Sequence, residues 1–254
     1  MPLEVASLNS GSNGNCYYIG NESDAVLVDA GISCREIEKR LKRCSLDINK
    51  IRGVFISHEH SDHIRGLRVL SKKYNLPIYV NTLTARFGRM SESNPNLVKF
   101  EPNETIHIGS LEVKSFPKYH DAANPVSFVI QNGHSRVGVM TDIGEACENV
   151  IAHLEMCDAL FLEANYDSEM LHASRYPKML KDRISGGRGH LSNEQALDLV
   201  LSYANLQLKH LFLCHLSNEN NDPELVLELF NAHLPDINII VASRFKESEV
   251  VKMA

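Results

Sequence analysis

The sequence predicts an αββα sandwich, an α/β (α+β) fold in which two β-sheets stack face to face with helices on both outer surfaces. Three observations lead there. The chain opens with short strand-like runs separated by Gly/Asn/Ser clusters. The hydrophobic period then switches from 2 to 3.6. A second group of strands between positions 97 and 140 gives way to regular alternation of helical and strand patterns. Two sheets with helices outside accommodate that order best. No stretch is linker-like and no repeat has a fixed period, so one domain over 1–254 is expected.

Taken in order, strands are expected at Glu4 to Leu8, Cys16 to Ile19 and Ala25 to Asp29. Ser33, three residues before Glu36, reads as a capping box opening a helix through about Lys42, with Ile37 and Leu41 on one face. Val54-Phe55-Ile56 is a buried strand, Leu67 and Leu70 mark a helix, and Ile78 to Val80 another strand. Four or five strands follow between Leu97 and Met140, among them Thr105 to Ile108, Leu111 to Phe116, Val126 to Gln131 and Val137 to Met140, with Asn132-Gly133 as a hairpin turn. The last third reads as a helix from about Glu145, strand Ala159 to Leu162, helix Asn193 to Tyr203, strand Leu211 to Cys214, helix Pro223 to His233 and strand Ile237 to Val241.

With 43% hydrophobic and 23% charged residues the chain has the composition of an ordinary globular protein. Its longest apolar run near the C-terminus, Ile239 to Ala242, is far below the ~20 residues of a membrane span, and Met1-Pro2-Leu3-Glu4 has no signal-peptide character. A cytoplasmic location without a membrane partner is expected. Six cysteines without a Cys-x-x-Cys pair argue against a disulfide framework and a thiolate zinc site. The net charge of −6 means that the overall field does not attract a polyanion, so a nucleic-acid partner has to be held by a local basic patch or by metal ions.

Histidine carries the chemistry. His58-Glu59-His60-Ser61-Asp62-His63 packs four metal-ligand candidates into six residues at the end of an apolar strand. Imidazole and carboxylate suit zinc, manganese and iron. Because one loop is too small for a dinuclear site, further ligands are expected at strand ends, where His120, Asp142 and His215 stand.

This set resembles the metallo-β-lactamase superfamily, and the likeness covers essentially the whole chain. The resemblance implies that His58, His60 and His120 bind one metal, that Asp62, His63 and His215 bind a second, and that Asp142 bridges them. Asp29 is expected to orient the loop from behind. An Asp at the bridging position and a loop ending in Asp-His are similar to the phosphodiesterase and nuclease branches. Phe161-Leu162-Glu163-Ala164 and Gly189-His190-Leu191-Ser192 look like the Glu and His segments of the ribonuclease Z branch, which implies a catalytic His190 held protonated by Glu163.

Ser10-Gly11-Ser12-Asn13-Gly14-Asn15, Tyr176-Pro177 before a Lys-rich helix, and His215-Leu216-Ser217-Asn218 resemble a smaller group, the YycJ/WalJ nucleases. The resemblance implies a 5′-to-3′ exonuclease on DNA rather than RNA. Two divalent cations, zinc or manganese with iron also accepted, would lie roughly 3.5–4 Å apart and activate a bridging water. Asp62, His190 and Glu163 are the expected catalytic groups. Backbone N–H groups of the 10–15 turn could form an anion nest, with a plain β-turn as the alternative reading of the same residues. Ser10, Ser12, Asn13, Asn15, Lys178 and Arg188 are expected to bind substrate. A small-molecule thioester hydrolase of the same fold is the alternative.

Overall fold

The structure, a computed structural model, describes residues 2–253; Met1 and Ala254, the ends of the expected domain, lie outside the described residues. The first sheet comprises β1 (Glu4–Asn9), β2 (Cys16–Gly20), β3 (Ala25–Val28), β4 (Ile51–Phe55), β5 (Ile78–Asn81) and β6 (Leu97–Phe100). The second comprises β7 (Thr105–Ile108), β8 (Leu111–Pro117), β9 (Val126–Asn132), β10 (Ser135–Met140), β11 (Ala159–Glu163), β12 (His210–Cys214) and β13 (Asn238–Val241), and the short β14 (Val251–Lys252) returns to pair with β1. The helices are α1 (Cys34–Arg43), α2 (Ser61–Ile64), α3 (Leu67–Tyr74), α4 (Thr82–Phe87), α5 (Glu148–Leu154), α6 (Ser168–Ala173), α7 (Lys178–Ile184), α8 (Asn193–Tyr203) and α9 (Pro223–His233).

Each sheet has seven strands, ordered β14-β1-β2-β3-β4-β5-β6 and β13-β12-β11-β10-β9-β8-β7. In both, one end is antiparallel and the other parallel. Alternation along the strands explains the layers. Tyr17, Ile19, Val26, Val28 and Phe55 meet Phe128, Val139, Phe161 and Phe212 between the sheets. Their neighbours point outward, so that Tyr18 and Leu27 pack with Ile37, Leu41, Leu67 and Leu70. On the far side Leu160, Leu162, Leu211 and Leu213 pack with Val150, Val200, Val226 and Phe230. Both faces of each sheet are thus apolar, as parallel strands covered by helices require, and the αββα sandwich expected from the pattern is the observed architecture.

Some boundaries differ. The helix expected from Glu145 starts at Glu148, because Gly144 N is bound to Tyr119 O and Cys147 N folds back to Glu145 O. Ser33 caps α1 through Glu36 N, but Glu36 pairs with Lys39 and Arg40 instead of completing the box. The complete capping box is Ser192 with Gln195. The hairpin turn is Gly133-His134, one residue later than expected, since Asn132 still pairs with Ser135 and Gly133 takes φ 61°.

Candidate metal centre

Loops at the carboxyl ends of parallel strands are where open α/β sheets gather their functional groups. Asp29 follows β3, His58 follows β4, Asp142 follows β10, Glu163 ends β11 and His215 follows β12, while His120 leaves β8. Three of these, Asp29, Asp142 and His215, have left-handed backbone, with φ of 61°, 55° and 58°.

The metal loop is clamped from beneath. Asp29 accepts from Ser57 N at 2.9 Å, Ser57 Oγ at 2.8 Å and His63 Nδ1 at 2.7 Å. His58 Nδ1 lies 3.0 Å from Ser57 Oγ. Those contacts occupy Nδ1 of both rings and direct Nε2 into the cleft. Asn15 N donates to Asp62 O at 2.7 Å and Ala30 N to His63 O at 2.8 Å. Gly31 permits this approach, since a Cβ there would sit 1.6 Å from Asp62 O.

Ligand atoms converge in overlapping sets: His58, His60 and His120; His58, His63 and Asp142; Asp62, His63 and His215; and Asp142, Glu163, His190 and His215. His58 Nε2 is 3.0 Å from His60 Nδ1. Asp142 stands between the sets, with Oδ2 3.3 Å from His63 Nε2, and Oδ1 3.8 Å from His120 Nε2 and 3.5 Å from His215 Nδ1. Asp62 Oδ2 lies 3.5 Å from His63 Nε2 and 3.6 Å from His215 Nε2.

The donor set fits divalent cations. His120 Nε2, His215 Nε2 and Asp142 Oδ2 are buried without a hydrogen-bond partner among the described residues. Buried polar atoms left so are rare unless an ion or water serves them. Their electrostatics agree. Burial would raise Asp142, but the charges of His215 and His63 hold it well below the usual carboxylate range. Burial likewise opposes a charged His215, yet Asp142, Asp62 and Glu163 lift it to about 10. Burial dominates at His120, which falls to about 4. Protons on buried imidazoles thus balance buried carboxylates, a role that a divalent cation takes over.

His190 sits at the rim, its side chain 21% exposed, with Nδ1 2.8 Å from Glu163 Oε1. Fully buried Glu163 serves more groups than expected. Oε1 also faces His215 Nδ1 at 3.0 Å, while Oε2 accepts from Ile143 N at 2.8 Å and Leu191 N at 3.2 Å. Burial would raise its carboxyl, but the charge and hydrogen bond of His190 bring it to about 2.

Other expectations change. Four N–H groups of the 10–15 turn are not open to an anion: Ser10 N, Gly11 N, Gly14 N and Asn15 N are all bound within the protein. Ser10 and Asn15 are buried under the ligands and cannot reach a substrate. Ser10 Oγ accepts from His215 N, and Asn15 Nδ2 touches Asp62 and His63. Ser12 faces solvent, while half-buried Asn13 donates to Arg244 O. Lys178 is paired with Asp182 at 2.6 Å, and Arg188 is exposed beside His190. Cys214 lies in the core between the sheets.

Sequence reasoning missed Ser57, although it adjoins the His motif. It also missed Asn165, whose Nδ2 donates to His215 O at 2.6 Å, and Asn221, which ties Ala164 O to Asn193. Lys118 was likewise unforeseen. It is fully buried with its ammonium on Thr141 O, and burial pulls it below its usual range. The fold and the His/Asp cluster together define a metallo-hydrolase that binds divalent metal.

The chain belongs to the beta-lactamase superfamily, whose domain model matches residues 24–216. Among curated proteins it is similar to exodeoxyribonuclease YycJ of Bacillus anthracis, 37% identical over 230 residues, which are 89% of this chain and 86% of the relative. It is also similar to exodeoxyribonuclease WalJ of Streptococcus pneumoniae, 33% identical over 243 residues, 93% of this chain and 87% of the relative. Among solved structures, the metallo-beta-lactamase fold protein YhfI of Bacillus subtilis superimposes with a TM-score of 0.76 at 18% identity, covering 99% of each chain.

Proposed function

We propose that the protein is a metal-dependent exodeoxyribonuclease, built as one cytoplasmic domain, that degrades a DNA strand in the 5′-to-3′ direction. The observation that carries this reading is the junction of two ligand sets through Asp142 beside the His190–Glu163 pair. His58, His60 and His120 would hold one cation, and Asp62, His63 and His215 the second, with zinc, manganese and iron all compatible with nitrogen and oxygen donors. When bound, the cations supply Lewis acidity and an activated water.

The chain's own groups do the rest. Asp62, the least buried carboxylate of the cluster, orients the attacking water. Glu163 fixes His190 through Nδ1, which leaves Nε2 to hand a proton to the leaving oxygen as the phosphorus–oxygen bond breaks. Ser12 and Arg188, both exposed, remain available to the approaching strand, whereas the Asn13 side chain is engaged by Arg244 O. A thioester hydrolase is not favoured, since the relatives matching nearly the whole chain are exodeoxyribonucleases. The 5′-to-3′ polarity comes from the resemblance to the YycJ/WalJ group.

Metal-reconstituted protein incubated with end-labelled single- and double-stranded DNA and RNA tests this. Mononucleotides released progressively from the 5′ end of DNA are expected. Cleavage of RNA alone, or release from the 3′ end, would overturn the assignment.

A further inference from the structure

The charge of the chain is unevenly distributed. Residues 64–96 contain six Lys or Arg (Arg65, Arg68, Lys72, Lys73, Arg86 and Arg89) against one acid, Glu92, in a protein whose net charge is −6. All six cations are exposed. Lys73 is neutralised by Glu38 at 2.7 Å. Arg68, Lys72, Arg86 and Arg89 have no ion pair among the described residues, in contrast to Lys178 and Arg183 on α7, which are bound to Asp182 and Asp121. Clustered, unpaired cations in an acidic protein oppose one another unless a polyanion compensates them.

Arg68 and Lys72 on α3, with Arg89 opposite, line a groove of about 660 Å³ floored by Leu67 and Ile78 and rimmed by Ser91 and Ser93. The groove starts at the metal loop. A Cβ on Gly88, at the end of α4, would be 3.4 Å from Glu59 Cβ, and Glu59 stands between His58 and His60. From the other side, Arg65 donates to Asn13 O beside the 10–15 turn. Cations along an open groove supply the charge that the phosphates of a single strand need.

We propose that this groove carries the phosphodiester backbone of the DNA strand beyond the nucleotide held at the metal centre; this rests on the nuclease reading above. It supplies the local basic patch that the net charge made necessary, and places it on the first sheet's side of the cleft rather than on α7.

The test uses the metal-loaded full chain and the triple variant Arg68→Ala, Lys72→Ala, Arg89→Ala. Binding of a fluorescent phosphorothioate single strand is followed across a salt series, and hydrolysis of bis-p-nitrophenyl phosphate, too small to reach the groove, is measured in parallel. The variant should bind the strand at least about tenfold more weakly, with the salt slope shallower by about 2, since each lost phosphate contact removes about 0.7 on a single strand. Hydrolysis of the small diester should be unchanged, and Arg68→Lys, Lys72→Arg, Arg89→Lys should restore strand binding. Wild-type DNA cleavage with unaltered affinity and salt slope in the triple variant would overturn the groove alone. A wild type that cleaves neither DNA nor the diester would overturn the nuclease reading, while its strand binding would still decide the groove.

Discussion

The first sheet delivers His58, His60, Asp62 and His63 from one loop after β4, whereas the second delivers His120, Asp142, Glu163 and His215 one at a time from the ends of four strands. The supports differ accordingly. The loop is gripped by a local clamp of Asp29, Ser57, Asn15 and Gly31. The scattered residues are tied together by one shared carboxylate, Glu163, which bonds His190 and His215 as well as two backbone N–H groups. A local clamp can lose one contact and hold its shape, while a shared hub passes any change to several groups at once.

The largest effect is expected in the loop itself. Asp62→Ala and His63→Ala should abolish turnover and lower the metal content by at least one equivalent in elemental analysis, with the circular dichroism spectrum kept. A folded variant with wild-type activity would remove these residues from the site.

Glu163→Gln comes next and tests the hub. One oxygen becomes an NH₂ group, and whichever way it points it opposes an existing donor at Ile143 N and Leu191 N or at the histidines. The kcat should fall by roughly 10²–10⁴, and stability by about 1–3 kcal/mol for a buried unsatisfied group. His190→Ala should match the kcat loss and leave metal content and melting temperature near wild type. Equal melting temperatures for the two variants would show that Glu163 supports His190 alone.

Asp29→Asn tests the clamp. It keeps one acceptor oxygen and should weaken metal affinity by 10–100-fold, the usual effect of altering a group that orients a ligand, as measured by competition with a chromogenic chelator. No change would mean that Ser57 holds the loop unaided.

The pH dependence of metal binding follows from His215. With its imidazole raised to about 10, it is protonated at neutral pH and must release that proton to accept a cation. Affinity should therefore rise by up to about tenfold per pH unit until about pH 10, and calorimetry in buffers of different ionisation enthalpy should detect the proton. In the metal-free chain the sign is opposite: a raised His contributes stability at low pH that is lost as pH rises through 10. The smallest effect is expected at Lys178, 88% exposed and paired with Asp182, where Lys178→Ala should alter DNA hydrolysis by less than about twofold.

The same contrast explains what the sequence made legible. Strands such as β7 and β12 and helices α8 and α9 stood out because local periodicity and caps define them. His58 to His63 was visible from density alone, and His120, Asp142 and His215 from their places at strand ends. Strand β14 was not visible, because two residues become a strand only through β1, which lies far away in sequence. Asn165, Asn221 and Ser57 are common polar residues whose importance lies in being buried with satisfied partners, a property of the assembled fold. Ser10 and Asn15 were correctly drawn to the site but placed on the wrong side of it, since a turn motif carries no information on which of its residues face outward.

The left-handed backbone at Asp142 separates shape from charge. Asn tolerates this conformation better than other non-glycine residues, whereas a β-branched residue there would be strained by roughly 1–3 kcal/mol. Asp142→Asn therefore keeps the contour of the cleft and removes the anion between the two ligand sets, which makes it suited as a bait that grips a strand without cutting it. Asp142→Val would lose contour and charge together and could not serve as one.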